Sequence, residues 1–118
     1  MDTVTKQYIE TVQVSDIPWH RLTTTYGRAT DFPTELDVLW NMESIEVVDA
    51  AGEALAQNIE HQSTLWHATP FAMIFLLRIF KKAQEERAHN EVAQYLAEQL
   101  VELFTVIAEC IRDGLMLE

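Results

Sequence analysis

The residues of this sequence best suited to chemistry are its histidines and its one cysteine. The polar stretch at residues 61–64 contains His61, Gln62, Ser63 and Thr64. Because histidine ordinarily titrates near neutral pH, this stretch is compatible with a binding or acid–base site. The alternative is structural, because a tight helix-to-helix connection leaves backbone groups that such side chains satisfy. We favour the structural alternative and predict a structural loop formed by Asn58, His61, Gln62 and Thr64.

Residue spacing gives little support for a metal site or a nucleophile. No pair among His20, His61, His67 and His89 has the i, i+4 spacing of zinc ligands on a helix. Cys110 lies at the edge of the apolar arc of the last predicted helix, where a free cysteine behaves as a small hydrophobe. We therefore expect no metal, no cofactor and no enzyme activity. A small hydrolase or metal enzyme around His61 and His67 is the least favoured alternative.

The charge distribution is the strongest functional signal. The chain has 19 Asp and Glu against 8 Lys and Arg, a net charge of −11, and no Lys or Arg occurs between Arg28 and Arg78. This argues against binding to nucleic-acid phosphates or to anionic membrane lipid, and it attracts basic proteins. The alternative is a merely solvated acidic face. The predicted partner-binding residues are Glu43, Glu46, Asp49, Glu53 and Glu60.

Length and composition predict one domain in a reducing compartment. The 118 residues are 48% hydrophobic, enough for a single core over residues 1–118. One cysteine permits no disulfide within the chain. The N-terminus lacks a basic region followed by an apolar run, and the longest apolar run, residues 71–77, is far shorter than the ~20 residues of a membrane span. We expect a cytoplasmic, soluble protein.

Three glycines and three prolines predict long helices with short connections. Residues 1–14 are rich in β-formers without clean alternation, so a short helix, an extended arm and a strand all stay open. The next segment, residues 18–27, is predicted to be helical because Trp19, Leu22 and Tyr26 share one helical face. Its run of threonines has weak helix propensity, so packing must stabilise this helix.

Two amphipathic helices are predicted next. Pro33 opens the first, which stops at Asn41. Ser44 caps the second, which extends to about Glu60 with its acidic residues opposite the apolar ones. The apolar arc of this helix contains Val48, Ala51, Leu55 and Ile59.

The last two helices carry most of the apolar surface. Thr69 and Pro70 cap and begin one helix, which is apolar on all sides over residues 71–77 and is therefore predicted to be buried in the middle of the fold. Residues 84–90 are polar, and either a break or one bent helix fits them. The helical period returns over residues 91–112 with an apolar arc wider than packing on one helix needs. That arc predicts a homodimer through Leu100, Leu103, Phe104, Ile107 and Ile111.

Motifs in the middle of the chain carry a resemblance to a family. They are Leu22-x-x-x-Tyr26-Gly27, Pro33, Asn58-Ile59-x-His61-Gln62-x-Thr64, Ala68-Thr69 and Phe75-Leu76. Over about Trp19 to Lys81 the chain resembles bacterial HEAT-repeat-like proteins, although Ser63 stands where that family usually has glycine. The resemblance implies a short α-solenoid packing unit of the kind used mostly for binding, and it implies no established catalytic activity.

Taken together, these patterns predict an all-α domain of about five helices in antiparallel hairpins, resembling a short HEAT-like unit. The predicted function is a non-catalytic protein–protein interaction module that binds a basic partner through acidic helix faces. An immunity or antitoxin-like protein that covers the basic active site of a toxin is its sharpest form. The alternative is a self-associating structural helical protein, and the two are compatible because a dimer can still bind a partner.

Overall fold

Five α-helices make up most of the part of the chain that the structure describes, which confirms the all-α prediction. The computed structural model describes the backbone of residues 2–24, 27–60 and 69–117, and the side chains of residues 2–22, 29–57, 69–109 and 111–112. The helices are α1 (Thr3–Thr11), α2 (Phe32–Asn41), α3 (Ile45–Glu60), α4 (Thr69–Glu86) and α5 (Glu91–Leu117).

The N-terminal segment begins as a helix, which decides between the three alternatives for residues 1–14. Asp2 caps α1, since its Oδ1 accepts a hydrogen bond of 2.7 Å from the backbone N–H of Thr5. The chain leaves α1 at Val12 in an extended conformation and enters a 3₁₀ turn at Val14–Asp16. No residue of α1 is buried, so this helix lies on the outside of the core.

The predicted helix over residues 18–27 is wrong. The chain forms a 3₁₀ turn at Trp19–Arg21 and then two short antiparallel strands, β1 (Thr23–Thr24) and β2 (Gly27–Arg28). Threonine loses side-chain freedom in a helix and fits a strand, so the local preference of Thr23 and Thr24 prevails. Trp19 still enters the core, with 4% of its surface exposed, and its indole N–H donates to the backbone oxygen of Val14.

Helices α2 and α3 have the predicted ends. Pro33 lies in the first turn of α2, and the helix stops at Asn41 because Met42 adopts a left-handed conformation with φ of 49°. Ser44 caps α3, since its Oγ accepts a hydrogen bond of 3.3 Å from the N–H of Val47.

Helices α4 and α5 are separate, so the single bent helix is wrong. Helix α4 ends at Glu86 and α5 begins at Glu91. Asn90 makes the new start, because its Oδ1 accepts from the backbone N–H groups of Val92 (3.0 Å) and Ala93 (3.3 Å). A side-chain cap thus separates the helices where the sequence has neither glycine nor proline.

Four helices enclose one core. Helix α2 packs against α3 and α4, and α5 packs against the same two helices. Helix α4 lies between α2 and α5, in line with its predicted place in the middle of the fold, but one side stays open, since Leu77 keeps 52% of its surface exposed. Its neighbours α2 and α5 cover only part of its circumference. The most deeply buried large side chains are Leu36, Leu39, Val48, Leu55, Leu76 and Leu96.

Candidate functional site

A cleft of about 210 Å³ lies between α3 and α5. Side chains from both helices form its walls, and leucines from α2 and α4 reach its floor. Leu39, Leu55 and Leu76 at its floor have 0% of their surfaces exposed, so the cleft stops at the close-packed core. Its accessible apolar wall is formed by the half-buried Ala56, Leu103 and Val106. Its apolar lining includes Leu39, Val48, Leu55, Leu76, Leu96, Leu100 and Leu103.

Among the described residues that line the cleft, every charged one is acidic. Asp49 and Glu53 belong to α3, and Glu102 belongs to α5. Helix α3 has no Lys or Arg, and the one basic residue of α5, Arg112, lies six residues beyond Val106, the last residue in the cleft lining. The mouth of this apolar cleft thus carries an uncompensated negative potential.

The cleft depends on a glycine in the middle of α3. The 3.6-residue period places Gly52 on the same face as Val48, Asp49 and Leu55, all of which line the cleft. No described atom lies within 4 Å of the position that a Cβ on Gly52 would occupy. The missing side chain therefore leaves open space between α3 and α5.

We expect the substitution Gly52→Ala to stabilise the protein. A glycine inside a helix costs about 0.5–1 kcal/mol relative to alanine, and the new methyl group meets only open space. The free energy of unfolding should rise by about that amount in urea titrations. The reverse change on the same helix, Ala56→Gly, is the matched control and should lower stability. A destabilised Gly52→Ala variant would contradict the presence of open space beside Gly52.

A hydrogen bond joins the two helices beside the cleft. The hydroxyl of Tyr95 on α5 donates a hydrogen bond of 2.5 Å to Oδ1 of Asp49 on α3. This bond raises the pKa of Tyr95, and burial and the negative charges of Asp49, Glu53 and Glu102 raise it further. Tyr95 therefore stays a neutral donor at physiological pH and keeps the Asp49 carboxylate in place.

The structure brings only some of the predicted partner-binding residues together. Glu43, Glu46, Asp49 and Glu53 are all exposed, and the last two line the cleft. The side chain of Glu60, at the end of α3, is outside the described residues. Glu102 joins the site although sequence reasoning did not assign it. The regular spacing of glutamates along α5 was the available signal.

The self-association residues divide into two groups. Leu100 and Ile107 are each only 3% exposed in the single chain, so their predicted place on an exposed surface is wrong. Helix α5 packs against both α3 and α4, and these two neighbours cover much of its wide apolar arc. Leu103 and Phe104 are half-buried, and Ile111 is exposed.

The predicted structural loop falls largely outside the described residues. Asn58 lies in α3, but its side chain is not described, and His61, Gln62 and Thr64 lie in the undescribed segment. The same holds for His67 and for the side chain of Cys110. Within the part of the chain that is described, no group of three or more His, Cys, Asp or Glu residues is placed to hold a metal ion.

Glu35 lies on α2, outside the cleft, and its carboxylate is partly buried. Its Oε2 is buried and has no hydrogen-bond partner among the described residues. Burial raises the pKa of Glu35, and the nearby charge of Asp31 raises it further. The ionised carboxylate therefore destabilises the folded state.

Replacing Glu35 with glutamine should raise the melting temperature at pH 7. The pKa of Glu35 is raised in the folded state. The wild-type side chain therefore stabilises the fold below its unfolded-state pKa, where it is protonated, and this stabilisation is lost as the pH rises through its folded-state pKa. The advantage of the variant should therefore vanish below about pH 4. Thermal melts at both pH values test this, with exposed Glu85→Gln as the control. An equal gain at both pH values would refute the assignment.

Comparisons with known proteins identify no relative. The sequence matches no protein-family model, and it has no significant similarity to the curated proteins or to the solved structures. The resemblance to HEAT-repeat-like proteins therefore stays a prediction. None of the helices in the described part of the chain combines the length and apolar character that crossing a membrane requires.

Proposed function

We propose that this protein is a non-catalytic, cytoplasmic module that binds a basic protein through the acidic face of α3 and α5. The acidic face consists of Glu46, Asp49, Glu53 and Glu102, all of them exposed. The observation that carries the proposal is that two neighbouring helices place Asp49, Glu53 and Glu102 at an apolar cleft, and that no Lys or Arg is among the described residues that line it.

The acidic face is costly for the isolated protein. Glu46, Asp49 and Glu53 follow one another at spacings of three and four residues on α3, and like charges at these spacings each destabilise a helix by about 0.2–0.5 kcal/mol. Lysine or arginine on the same helix would remove this cost, but α3 has neither. A cationic partner offsets the repulsion, and the field of the acidic face speeds its association by about 10- to 10³-fold.

In its sharpest form the proposal is an immunity or antitoxin-like protein. Such a protein covers the basic active site of a toxin, for example a nuclease that binds phosphates. The order of helix contacts supports a binding scaffold of this kind, because α2 packs on α3 and α4 on α5, while α2 also contacts α4 and α3 contacts α5. Two stacked antiparallel helical hairpins, as in a short solenoid unit, have the same contacts.

A triple charge reversal tests the acidic face. The bait proteins are the wild type and the variant Glu46→Lys/Asp49→Lys/Glu53→Lys, used to capture partners from the source lysate at low and moderate salt. We expect one basic protein to be retained by the wild type and lost from the variant. With that purified protein, the association rate should fall by about 10- to 10³-fold and its salt dependence should flatten.

The control variant changes the net charge equally on other exposed surfaces. It carries Glu10→Lys, Asp37→Lys and Glu85→Lys, three positions outside the cleft on α1, α2 and α4. This variant should retain most of the partner binding. Unchanged binding by the α3 variant, or equal loss in both variants, would show that the acidic face is not the interface.

Self-association is the second candidate function. Val101 and Ile111, two large apolar residues of α5, keep 51% and 49% of their surfaces exposed. We propose that a homodimer covers them together with the half-buried Leu103 and Phe104. Sedimentation at micromolar concentration tests this, and a strictly monomeric protein would refute it.

A further inference from the structure

We propose that the cleft between α3 and α5 is an anchor pocket, which takes one apolar side chain from a segment of the basic partner that has Lys or Arg on both sides of that residue. The inference rests on the proposed function of the acidic face and goes further, because it specifies the sequence character of the segment that binds there.

The size of the cleft favours a single side chain as its occupant. A volume of about 210 Å³ is smaller than the about 300–1,000 Å³ of sites for cofactors and drug-sized ligands. Protein interfaces commonly place one apolar or aromatic anchor in a well-packed central pocket, and such anchors supply most of the binding energy. The accessible apolar wall of this cleft, which Ala56, Leu103 and Val106 form, offers that environment to an apolar anchor.

The charges around the cleft determine what must flank the anchor. Asp49 and Glu53 stand on the α3 side, and Glu102 stands on the α5 side. An apolar residue that enters between the helices therefore has carboxylates on both sides of it. Lysine or arginine before and after the anchor pairs with the carboxylates of α3 and α5, whereas these carboxylates repel an acidic flanking residue.

Gly52 and Tyr95 support an occupied cleft. Gly52 adopts a helical conformation with open space where its side chain would be, so neither backbone geometry nor packing requires a glycine there. An anchor that enters the cleft requires this space. The hydrogen bond from Tyr95 to Asp49 joins α5 to α3 and presets the separation of the two sides.

Two synthetic peptides of equal charge are the probes. One is the acetylated and amidated peptide Lys-Lys-Leu-Lys-Lys, and the other has alanine in place of leucine. Because burying the leucine removes several apolar carbons from water, we expect the leucine peptide to bind the wild type about 10-fold more tightly or better. Titration calorimetry at low salt measures both dissociation constants, and amide chemical-shift changes should centre on α3 and α5.

Filling the cleft should remove this preference without changing the charge. In the variant Gly52→Leu, the affinity for the leucine peptide should fall about 10-fold to the level of the alanine peptide, whose own binding stays the same. Leucine is a good helix former, so α3 is expected to fold. Gly52→Ala is the matched control, because it changes helix propensity and fills only a small part of the cleft.

A charge variant separates failure of the anchor pocket from failure of the proposed function. Glu53→Gln/Glu102→Gln should weaken both peptides and flatten the salt dependence. Equal affinity of the two peptides, or no effect of Gly52→Leu, would overturn the anchor pocket while the acidic face stands. Binding of neither peptide, or binding that is insensitive to the charge variant, would overturn the pocket and the acidic face together.

Discussion

Replacing Arg78 with alanine is expected to release helix α1 from α4 and to lower the free energy of unfolding by about 2–4 kcal/mol. The guanidinium donates two hydrogen bonds from α4 to the N-terminal segment. Nη1 reaches the backbone oxygen of Val12 at 2.6 Å, and Nη2 reaches that of Ile9 at 2.7 Å. These hydrogen bonds involve a charged donor and are partly buried, so each is worth more than an exposed neutral one.

The position of Arg78 at the end of α1 explains the size of this effect. The last carbonyl groups of a helix have no partner within it and carry partial negative charge, so a cation at this end satisfies and stabilises them. The guanidinium also lies 5.0 Å from the centre of the Phe75 ring. Because no residue of α1 is fully buried, the two hydrogen bonds of Arg78 carry much of its attachment to α4.

Hydrogen exchange of the α1 amides and chemical unfolding measure the consequence. In Arg78→Ala the α1 amides should exchange near the rate of an unfolded segment, while the amides of α5 keep protection that reflects the remaining stability. Arg78→Lys retains the charge without the two-pronged donor geometry, so its effect should be intermediate. Exposed Lys81→Ala, one turn further along α4, is the control. Unchanged protection of α1 would contradict the assigned role.

The sequence contains no signal for this attachment. Arg78 is visible only as the residue that ends an apolar run, and its acceptors are backbone oxygens 66 and 69 residues away. Every residue of a chain carries a backbone carbonyl oxygen, so no pattern of side chains identifies these two acceptors. Long-range hydrogen bonds to the backbone become visible only when the fold is known.

The helix ends were predictable wherever local chemistry decides them. Ser44 caps α3 and Pro33 favours the start of α2, each through the first turn of its own helix. The predicted ends of both helices are confirmed. The number of helices is also right, but partly for a wrong reason. The predicted helix over residues 18–27 does not form, because Thr23 and Thr24 follow their local preference and pair with Arg28 and Gly27. The fifth helix is α1, which the sequence left open.

The candidate site was only half predictable for a different reason. Asp49 and Glu53 follow from the period of α3 alone, because residues four apart share one side of a helix. Glu102 joins them only because α3 packs against α5, which is not its neighbour in the chain. Amphipathic patterns show that a helix has an apolar face, but they do not identify the helix that covers it.

Leu76 and Leu77 give the second large prediction, because they are adjacent in sequence and opposite in environment. Leu76 has 0% of its surface exposed, and Leu77 has 52%. We expect Leu76→Ala to lower the free energy of unfolding by about 3–5 kcal/mol, since it removes buried methyl groups and leaves a cavity beside the cleft floor. Leu77→Ala should change it by less than about 0.5 kcal/mol. Urea denaturation of both variants measures the difference.

The different burial of Leu76 and Leu77 is unexpected from the sequence. The run from Phe71 to Leu77 is apolar on every side of the helix, and such a run predicts burial on every side. In the structure, Leu77 instead faces a groove between α1 and α4 that Ile9 and Met73 also line. If Leu77→Ala proves as costly as Leu76→Ala, this groove is covered in solution. A cost that grows with protein concentration would then identify a second copy of the chain as the cover. A small cost at every concentration would show that α4 is open to water on this side.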